Sequence, residues 1–350
     1  MDSAEGTARP TVALDGFGAE RGAETLAKGA RSAAAEGIAV RIFGSPELGL
    51  DGVEGIEVVP TDDRITNEED AVPAVRSRRE ASVVRAARDV AEGRSQALAS
   101  AGPTGATMAA ATFELRRMQG VQRPALAVRL PVPGRAVLFL DVGANVEVRA
   151  QHLVQFAFLG AAFSAAVLGV DRPSVGLLSV GEEQGKGTDE VIAANAILAD
   201  AEGIEFAGNV EGRDLPQGVA DVVVTDGFTG NVALKLMEGT ARMVTTALRE
   251  AARSGPVASA GGLLLRPALG GLRRELDPDT TGGAILLGLR GIAVVAHGSS
   301  GAEGIANAVR LAAHSVEQRA IERTAALLRE GGAGRGELSQ ATRGRARAEA

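Results

Sequence analysis

Residues 222–235 read VVVTDGFTGNVALK, and residues 97–111 read ALASAGPTGATMAAA. Each is a short apolar run, then Gly-x-Thr-Gly, then a stretch of helical composition. The shared residues are Gly102, Thr104 and Gly105 in one and Gly227, Thr229 and Gly230 in the other. A strand feeding a glycine-rich turn that opens a helix gathers unpaired backbone N–H groups and the positive end of a helix dipole at one point. Two such elements predict a site for anionic oxygens built from two separate loops.

Outward from these turns, β-branched runs alternate with Ala-rich stretches. Strands are expected over 11–14, 40–43, 56–59, 96–100, 126–130, 136–140, 174–179, 204–207, 221–225 and 291–296. Helices are expected over 23–36, 80–92, 105–117, 151–168, 189–201, 230–252 and 302–328. This alternation predicts an α/β fold with a mainly parallel sheet covered by helices. Ligands in such sheets sit beyond the carboxyl ends of the strands. There the chain places Asp15-Gly16, residues 101–105, Asp141 to Asn145, Gly181-Glu182-Glu183, Gly208 to Gly212, Asp226-Gly227 and His297-Gly298-Ser299-Ser300. Gly, Asp and Asn also serve ordinary turns, but so many polar loops on one expected edge favour a site. Residues 1–10 and 331–350 are expected as disordered tails around a single domain over 11–330, the second tail being small, charged and without apolar period.

Composition narrows the function. The chain has 350 residues, 45% of them hydrophobic, enough for a large core. Cysteine is absent, which removes disulfides, thiolate metal sites and a cysteine nucleophile and fits a reducing cytoplasm. With 37 basic and 44 acidic residues, no Trp and no Tyr, the chain suits neither general nucleic-acid binding nor base stacking. His152, His297 and His314 have no metal-ligand spacing, so no metal is expected. The first ten residues lack the regions of a signal peptide. Residues 153–170 carry no charge but sit at the short edge for spanning a bilayer, and read better as a buried helix.

Several segments together resemble the bacterial phosphate acyltransferases, the acyl carrier protein:phosphate acyltransferases of phospholipid synthesis. They are LDGFG, SAGPTGATMAAA, RPALAVRLP, LDVGANVEVRAQHLVQFA, RPSVGLLSVGEEQGKG, FAGNVEGRDLPQGVADVVVTDGFTGNVALK, TGGAILLG and GIAVVAHGSS, in the family's order over roughly 11–330. GNVEGRDL followed closely by DGFTGNV is the most specific pairing. The resemblance implies a three-layer α/β/α sandwich similar to phosphate acetyltransferases, a homodimer without cofactor or metal, and transfer of a fatty acyl group from a carrier-protein thioester to inorganic phosphate. It further implies a cytoplasmic protein peripheral to the inner face of the membrane, partnered there by the integral acyl phosphate:glycerol-3-phosphate acyltransferase.

The residues suit that chemistry. Backbone N–H groups at glycine-rich helix starts can hold both phosphate and a tetrahedral oxyanion. No acyl-enzyme is needed, and neither Ser299 nor Ser300 has an activating triad evident in the sequence. Lys186, in GEEQGKG beside Glu182 and Gly187, is the foremost catalytic candidate, a mobile point charge for phosphate. Asp226 and His297 are candidate proton handlers or orienting groups, and His297 reads equally as a structural histidine. Asn145, Asn209 and Asn231 offer amides to phosphate or the pantetheine arm, or else cap their own loops. Asp15, Ser299 and Ser300 complete the expected substrate contacts. The chain departs from the family pattern at Pro103 and Thr188, where Asn is usual, at Thr281 and Ile285, where Tyr and Pro are usual, and at Ala19 in place of Gly.

Residues 257–274, VASAGGLLLRPALGGLRR, present Leu263, Leu264, Leu265, Arg266 and Leu269 in a basic stretch broken by Gly-Gly and Pro267. Such a stretch can lie at an anionic bilayer surface, or else fill an interface. Arg76, Arg78, Arg79, Arg85 and Arg88 form a patch that could steer an acidic carrier protein. Other readings are a paralogue with an altered acceptor, a non-catalytic carrier-protein or lipid-binding module, and a nicotinamide-dependent oxidoreductase; the last lacks G-x-G-x-x-G after the first strand.

Overall fold

The computed structural model describes residues 9–132, 134–275, 278–334, 336 and 338. The chain opens with β1 (Thr11–Asp15), α1 (Ala23–Ala35), β2 (Ala39–Gly44) and β3 (Ile56–Pro60). Next come α2 (Ala71–Ser77), α3 (Ser82–Ala91), β4 (Ala97–Ser100), α4 (Thr104–Leu115), β5 (Ala125–Val132) and β6 (Arg135–Leu140). They are followed by α5 (Ala150–Val167), β7 (Ser174–Ser179), α6 (Asp189–Leu198), β8 (Glu205–Glu211) and β9 (Val222–Val224). Two long helices, α7 (Gly227–Ala251) and α8 (Pro256–Glu275), precede β10 (Ala284–Leu287), β11 (Ile292–Val295), α9 (Ala302–Glu317) and α10 (Ala320–Glu330).

The strands are apolar on both faces, as strands sandwiched between helices must be. Successive side chains point to opposite faces, so each strand feeds two cores. Val12, Leu14, Leu138, Leu140, Val222 and Val224 pack with α1, α5, α9 and α10. Ala13, Val137, Phe139 and Val223 pack with α2, α3, α4 and the start of α7. The result is a three-layer α/β/α sandwich.

Among the described residues, the strands join one 11-stranded sheet, in the order β3-β2-β1-β4-β11-β10-β5-β6-β9-β7-β8. Pairings are parallel except β11–β10, β10–β5 and β5–β6. These three reversals run in series and decide where a ligand can sit. They leave β5 pointing with β11, and β6, β9, β7 and β8 pointing against it. The carboxyl ends of β1, β4 and β11 therefore form one rim of the sheet, and those of β6, β9, β7 and β8 form the opposite rim. A single edge, as expected from the loop chemistry, is not what the chain builds.

Other departures are local. β10 and α2 were not expected, being short apolar runs that carry little period. The expected helix over 302–328 is two, because Arg319 adopts a left-handed φ of 53° with no Gly or Pro to announce it. The segment expected to be broken at Gly261, Gly262 and Pro267 is instead the continuous helix α8; glycine weakens a helix by about 1 kcal/mol without forbidding it. The charge-free stretch is α5, buried along almost its whole length. Ala333 and Leu338 pack into the core beside it, so ordered chain continues beyond 330, where a tail was expected to start.

Candidate active site

The first rim is organised by Asp15. Its carboxylate, at the end of β1, is fully buried and accepts hydrogen bonds from Ser82 Oγ at 2.5 Å, Ser100 Oγ at 2.8 Å and the Phe17 N–H at 3.2 Å. Ser100 Oγ in turn accepts from the Gly102 N–H and from Thr107 Oγ1, both at 3.0 Å. Burial pushes the Asp15 carboxyl up to about 6, opposed in part by these donors. Asp15 therefore faces the protein's own donors. It locks the loop after β1 to the turn after β4, and the two meet so closely that a Cβ at Gly18 would overlap Gly102.

That turn opens α4. Pro103 is the N-cap, with no side-chain cap, because proline offers neither an oxygen acceptor nor an N–H. The first bond it accepts is from Thr107 N–H, at 2.9 Å. The N–H groups of Thr104, Gly105 and Ala106 are left without a hydrogen-bond partner among the described residues, and Thr104 and Gly105 are exposed. The loop after β11 lies alongside, since β11 pairs with β4 and Ala296 N–H bonds Ser100 O at 2.8 Å. His297 and Ser299 are exposed there and Ser300 is buried. Nδ1 of His297 accepts from the Ser299 N–H at 3.2 Å and lies 2.7 Å from Ser299 Oγ. Glu20 N–H bonds Gly298 O at 3.0 Å and ties this loop to the one after β1.

The second rim looks similar in sequence and differs in chemistry. Asp226 caps α7, its Oδ1 accepting the Thr229 N–H at 2.8 Å. Gly227 N–H is taken by Asn145 O at 2.7 Å. Two of the first three N–H groups of α7 are thus taken by the protein's own carboxylate and carbonyl. Gly227 and Gly230 are there for packing: a Cβ at Gly230 would overlap the carbonyl oxygen of Asp141. Beneath them, the buried Asp141 carboxylate accepts from the N–H groups of Leu126, Gly143, Ala144 and Asn145 and from Asn145 Nδ2. Asn145 also donates to Pro124 O at 2.7 Å, so it is scaffold rather than an exposed amide. Asn231 is exposed on α7.

On the same rim, Lys186 is exposed in the loop after β7, and among the described residues no carboxylate pairs with its ammonium. Its loop is held from beneath by Asn209, whose Nδ2 donates to Glu183 O at 2.8 Å and Lys186 O at 3.3 Å. Asn195 fixes the Asn209 amide from α6 at 2.9 Å. Gly187 has a left-handed φ of 118° and packs against Ser179 and Val191. Thr188 caps α6, its Oγ1 accepting from Val191 N–H; a threonine serves there as an asparagine would. Glu182 is exposed and lies 3.7 Å from Arg213.

Between described residues, no hydrogen bond or ion pair joins the two rims. Asp15, Gly102, Thr104, Gly105, His297, Ser299 and Ser300 lie on the first; Asn145, Glu182, Lys186, Gly187, Asn209, Asp226, Gly227, Thr229, Gly230 and Asn231 lie on the second. Sequence reasoning missed Ser82, Thr107 and Asn195, and the scaffold role of Asp141. Nothing in a one-dimensional reading aims Ser82 at Asp15, 67 residues away. Among the described residues, no group of three or more His, Asp or Glu side chains could hold a metal ion.

Beyond the first turn of α7, which belongs to the second rim, α7 and α8 are largely exposed. Only Gly227 and Gly230 of α7 are buried. Leu263, Leu264, Leu265 and Arg266 of α8 are exposed, Leu264 by 82%, while the side chain of Leu269 lies outside the described residues. Of the arginine patch, all but Arg76 are paired with carboxylates. Arg78 pairs with Asp63 and Glu69, Arg79 with Glu114, and Arg85 and Arg88 with Glu80.

Residues 11–323 match the model of the fatty acid synthesis protein family. A phosphate acyltransferase of Elusimicrobium minutum is 47% identical over 270 residues, 77% of this chain and 79% of that one. One from a Geobacillus species is 44% identical, covering 87% of this chain and 94% of its own. Among solved structures, a phosphotransacetylase from Streptococcus pyogenes superposes with a TM-score of 0.57 at 16% identity, covering 90% of this chain and 94% of that one. A branched-chain phosphotransacylase from Enterococcus faecalis gives 0.56 at 18%, covering 88% and 99%. Those two likenesses concern the fold, while the first three place the sequence: the chain belongs to the fatty acid synthesis protein family, with the phosphate acyltransferases.

Proposed function

We propose that this chain transfers a fatty acyl group from the thioester of acyl carrier protein to inorganic phosphate, giving acyl phosphate for glycerophospholipid synthesis. The observation that carries this reading is the uncapped start of α4, where Thr104 and Gly105 present unpaired N–H groups beside the serine and histidine of the β11 loop. Phosphate held there needs no titrating group to bind it. A phosphate oxygen attacks the thioester carbonyl carbon, the tetrahedral oxyanion collapses, and the C–S bond breaks. The proton of the hydrogen phosphate goes to the departing thiolate, so no separate general acid is required. Lys186 supplies positive charge to the phosphate or oxyanion, and His297, with Nδ1 occupied by Ser299, offers its Nε2 as a hydrogen-bond donor.

The reading requires both rims to act on one cleft, and sheet twist supports it. Strands rotate by about 20–25° per step, so the five steps from β4 to β9 turn the sheet by about 100–125°. The carboxyl ends of the two strands then diverge by about 55–80° rather than pointing oppositely.

The chain works as a cytoplasmic homodimer at the inner membrane face, handing acyl phosphate to the integral glycerol-3-phosphate acyltransferase. The exposed leucines of α8 suit the lipid contact, and an exposed stripe on α7, Phe228, Val232, Leu236 and Met243, suits a second copy. Thioester loss followed by mass spectrometry tests the reaction. Lys186→Ala lowers kcat/KM for phosphate by about a hundredfold. Carrier binding without any turnover by the unaltered chain would instead favour a non-catalytic module. Replacing Leu263, Leu264 and Leu265 by Gln abolishes co-sedimentation with anionic vesicles; unchanged sedimentation refutes the lipid contact.

A further inference from the structure

A recess of about 450 Å³ opens where α4 ends, between the 116–121 strap and the turn linking β10 to β11. Phe113, Met118 and Val121 form its apolar floor, and Arg116, Arg117 and Arg290 stand around it. Arg290 is fixed over the strap, its backbone N–H bonding Arg116 O at 2.9 Å and its Nε bonding Arg117 O at 3.1 Å. Arg117 donates to Gln122 O. A further guanidinium, that of Arg76, lies 5.0 Å over the Phe113 ring. Among the described residues, none of these four arginines is paired with a carboxylate, whereas Arg78, Arg79, Arg85, Arg88 and Arg310 all are. Arg116 and Arg117 follow the negative end of α4, which favours cations. Arg290 comes from a different element and has no such reason to be there. On a chain of net charge −7, this is an island of unmatched positive charge over an apolar floor.

We propose that this recess is where an acidic protein surface docks, its carboxylates pairing with Arg116, Arg117 and Arg290 while an apolar side chain seats on Phe113 and Met118. Arginine and aromatic groups of this kind dominate the energetics of protein interfaces, and complementary charge accelerates encounter. The strap that lines the recess continues to Arg123 and Pro124, which bond Asn145 Oδ1 at 3.5 Å and Asn145 Nδ2 at 2.7 Å. A partner seated here is therefore on the rim that carries Asp226 and Lys186. Resting on the function proposed above, that partner is the acyl carrier protein itself.

The test measures carrier affinity by biolayer interferometry and turnover with two substrates, the carrier thioester and the corresponding acyl-pantetheine. Arg116→Glu combined with Arg290→Glu, both at exposed positions, weakens carrier binding at least tenfold and leaves acyl-pantetheine turnover within twofold. Arg76→Gln, which disturbs only the ring contact, weakens binding about threefold and decides the matter should the double variant fold poorly. Carrier affinity unchanged in both variants overturns the docking site while the acyl transfer stands. A wild-type chain that turns over neither thioester overturns the acyl transfer, and the binding constants still decide the docking site. Recess occupancy by a small polyanion such as citrate, without carrier binding, overturns the partner.

Discussion

The two Gly-x-Thr-Gly turns are nearly interchangeable as text and opposite as chemistry. At α7 the N-cap is Asp226, whose carboxylate claims the Thr229 N–H. At α4 it is Pro103, whose side chain has no acceptor for an N–H, so those of Thr104, Gly105 and Ala106 are open. The cap also sets where the helix begins, at Gly227 in one turn and at Thr104 in the other. The glycines differ too: Gly230 permits close packing on Asp141, and Gly105 only brushes the Ala71 methyl, at 3.2 Å from an added Cβ. A glycine-rich turn is thus an anion site only when its own cap leaves the amides free.

Substituting the paired glycines breaks this comparison most sharply. Gly230→Ala forces a methyl group into the Asp141 carbonyl and destabilises by about 3 kcal/mol or more, whereas Gly105→Ala changes stability by less than about 1 kcal/mol. Urea unfolding of both variants measures the gap, and equal stabilities would refute the assigned roles.

The buried carboxylate under the α4 turn gives the next effect. Asp15 titrates at about 6 when folded against a reference of 3.8, so the folded state binds the proton more tightly. Its contribution is fully present below about pH 4 and is lost as pH rises through about 6. His152 acts in the opposite sense. Burial, aided by Arg123 and Arg149, lowers it to about 4, so its contribution is lost as pH falls from 6.5 to 4. Comparing wild type with Asp15→Asn isolates the first term. The wild type gains on the order of 3 kcal/mol over the variant between pH 7 and pH 4, and a pH-independent difference would contradict the assignment.

A smaller effect belongs to the filled turn. Asp226→Ala removes the cap of α7 and costs about 1 kcal/mol, with little change in the KM for phosphate if the phosphate sits at α4. A tenfold rise in that KM would move the phosphate to the second rim.

Much of the fold was legible in the sequence, because strands covered on both faces announce themselves as apolar runs between amphipathic helices. Sheet polarity was not. The reversal rests on β10, a four-residue run, AILL, whose pairing with both β11 and β5 depends on neighbours far along the chain. The site was legible in part. Lys186, Thr104 and Gly105 are exposed, but Asn145, Asn209 and Asp15 turn inward onto groups of the protein itself. Asparagine and aspartate serve ligands and loops with the same atoms, and only burial tells which.

A double-mutant cycle between the rims tests most directly whether they share one phosphate. Thr104→Pro removes one N–H at the first turn of α4, where proline is tolerated, and Lys186→Ala removes the charge opposite. With kcat/KM for phosphate as the readout, the account predicts a coupling energy of about 1 kcal/mol or more. Additivity within about 0.5 kcal/mol would mean that the two rims act independently, and would contradict it.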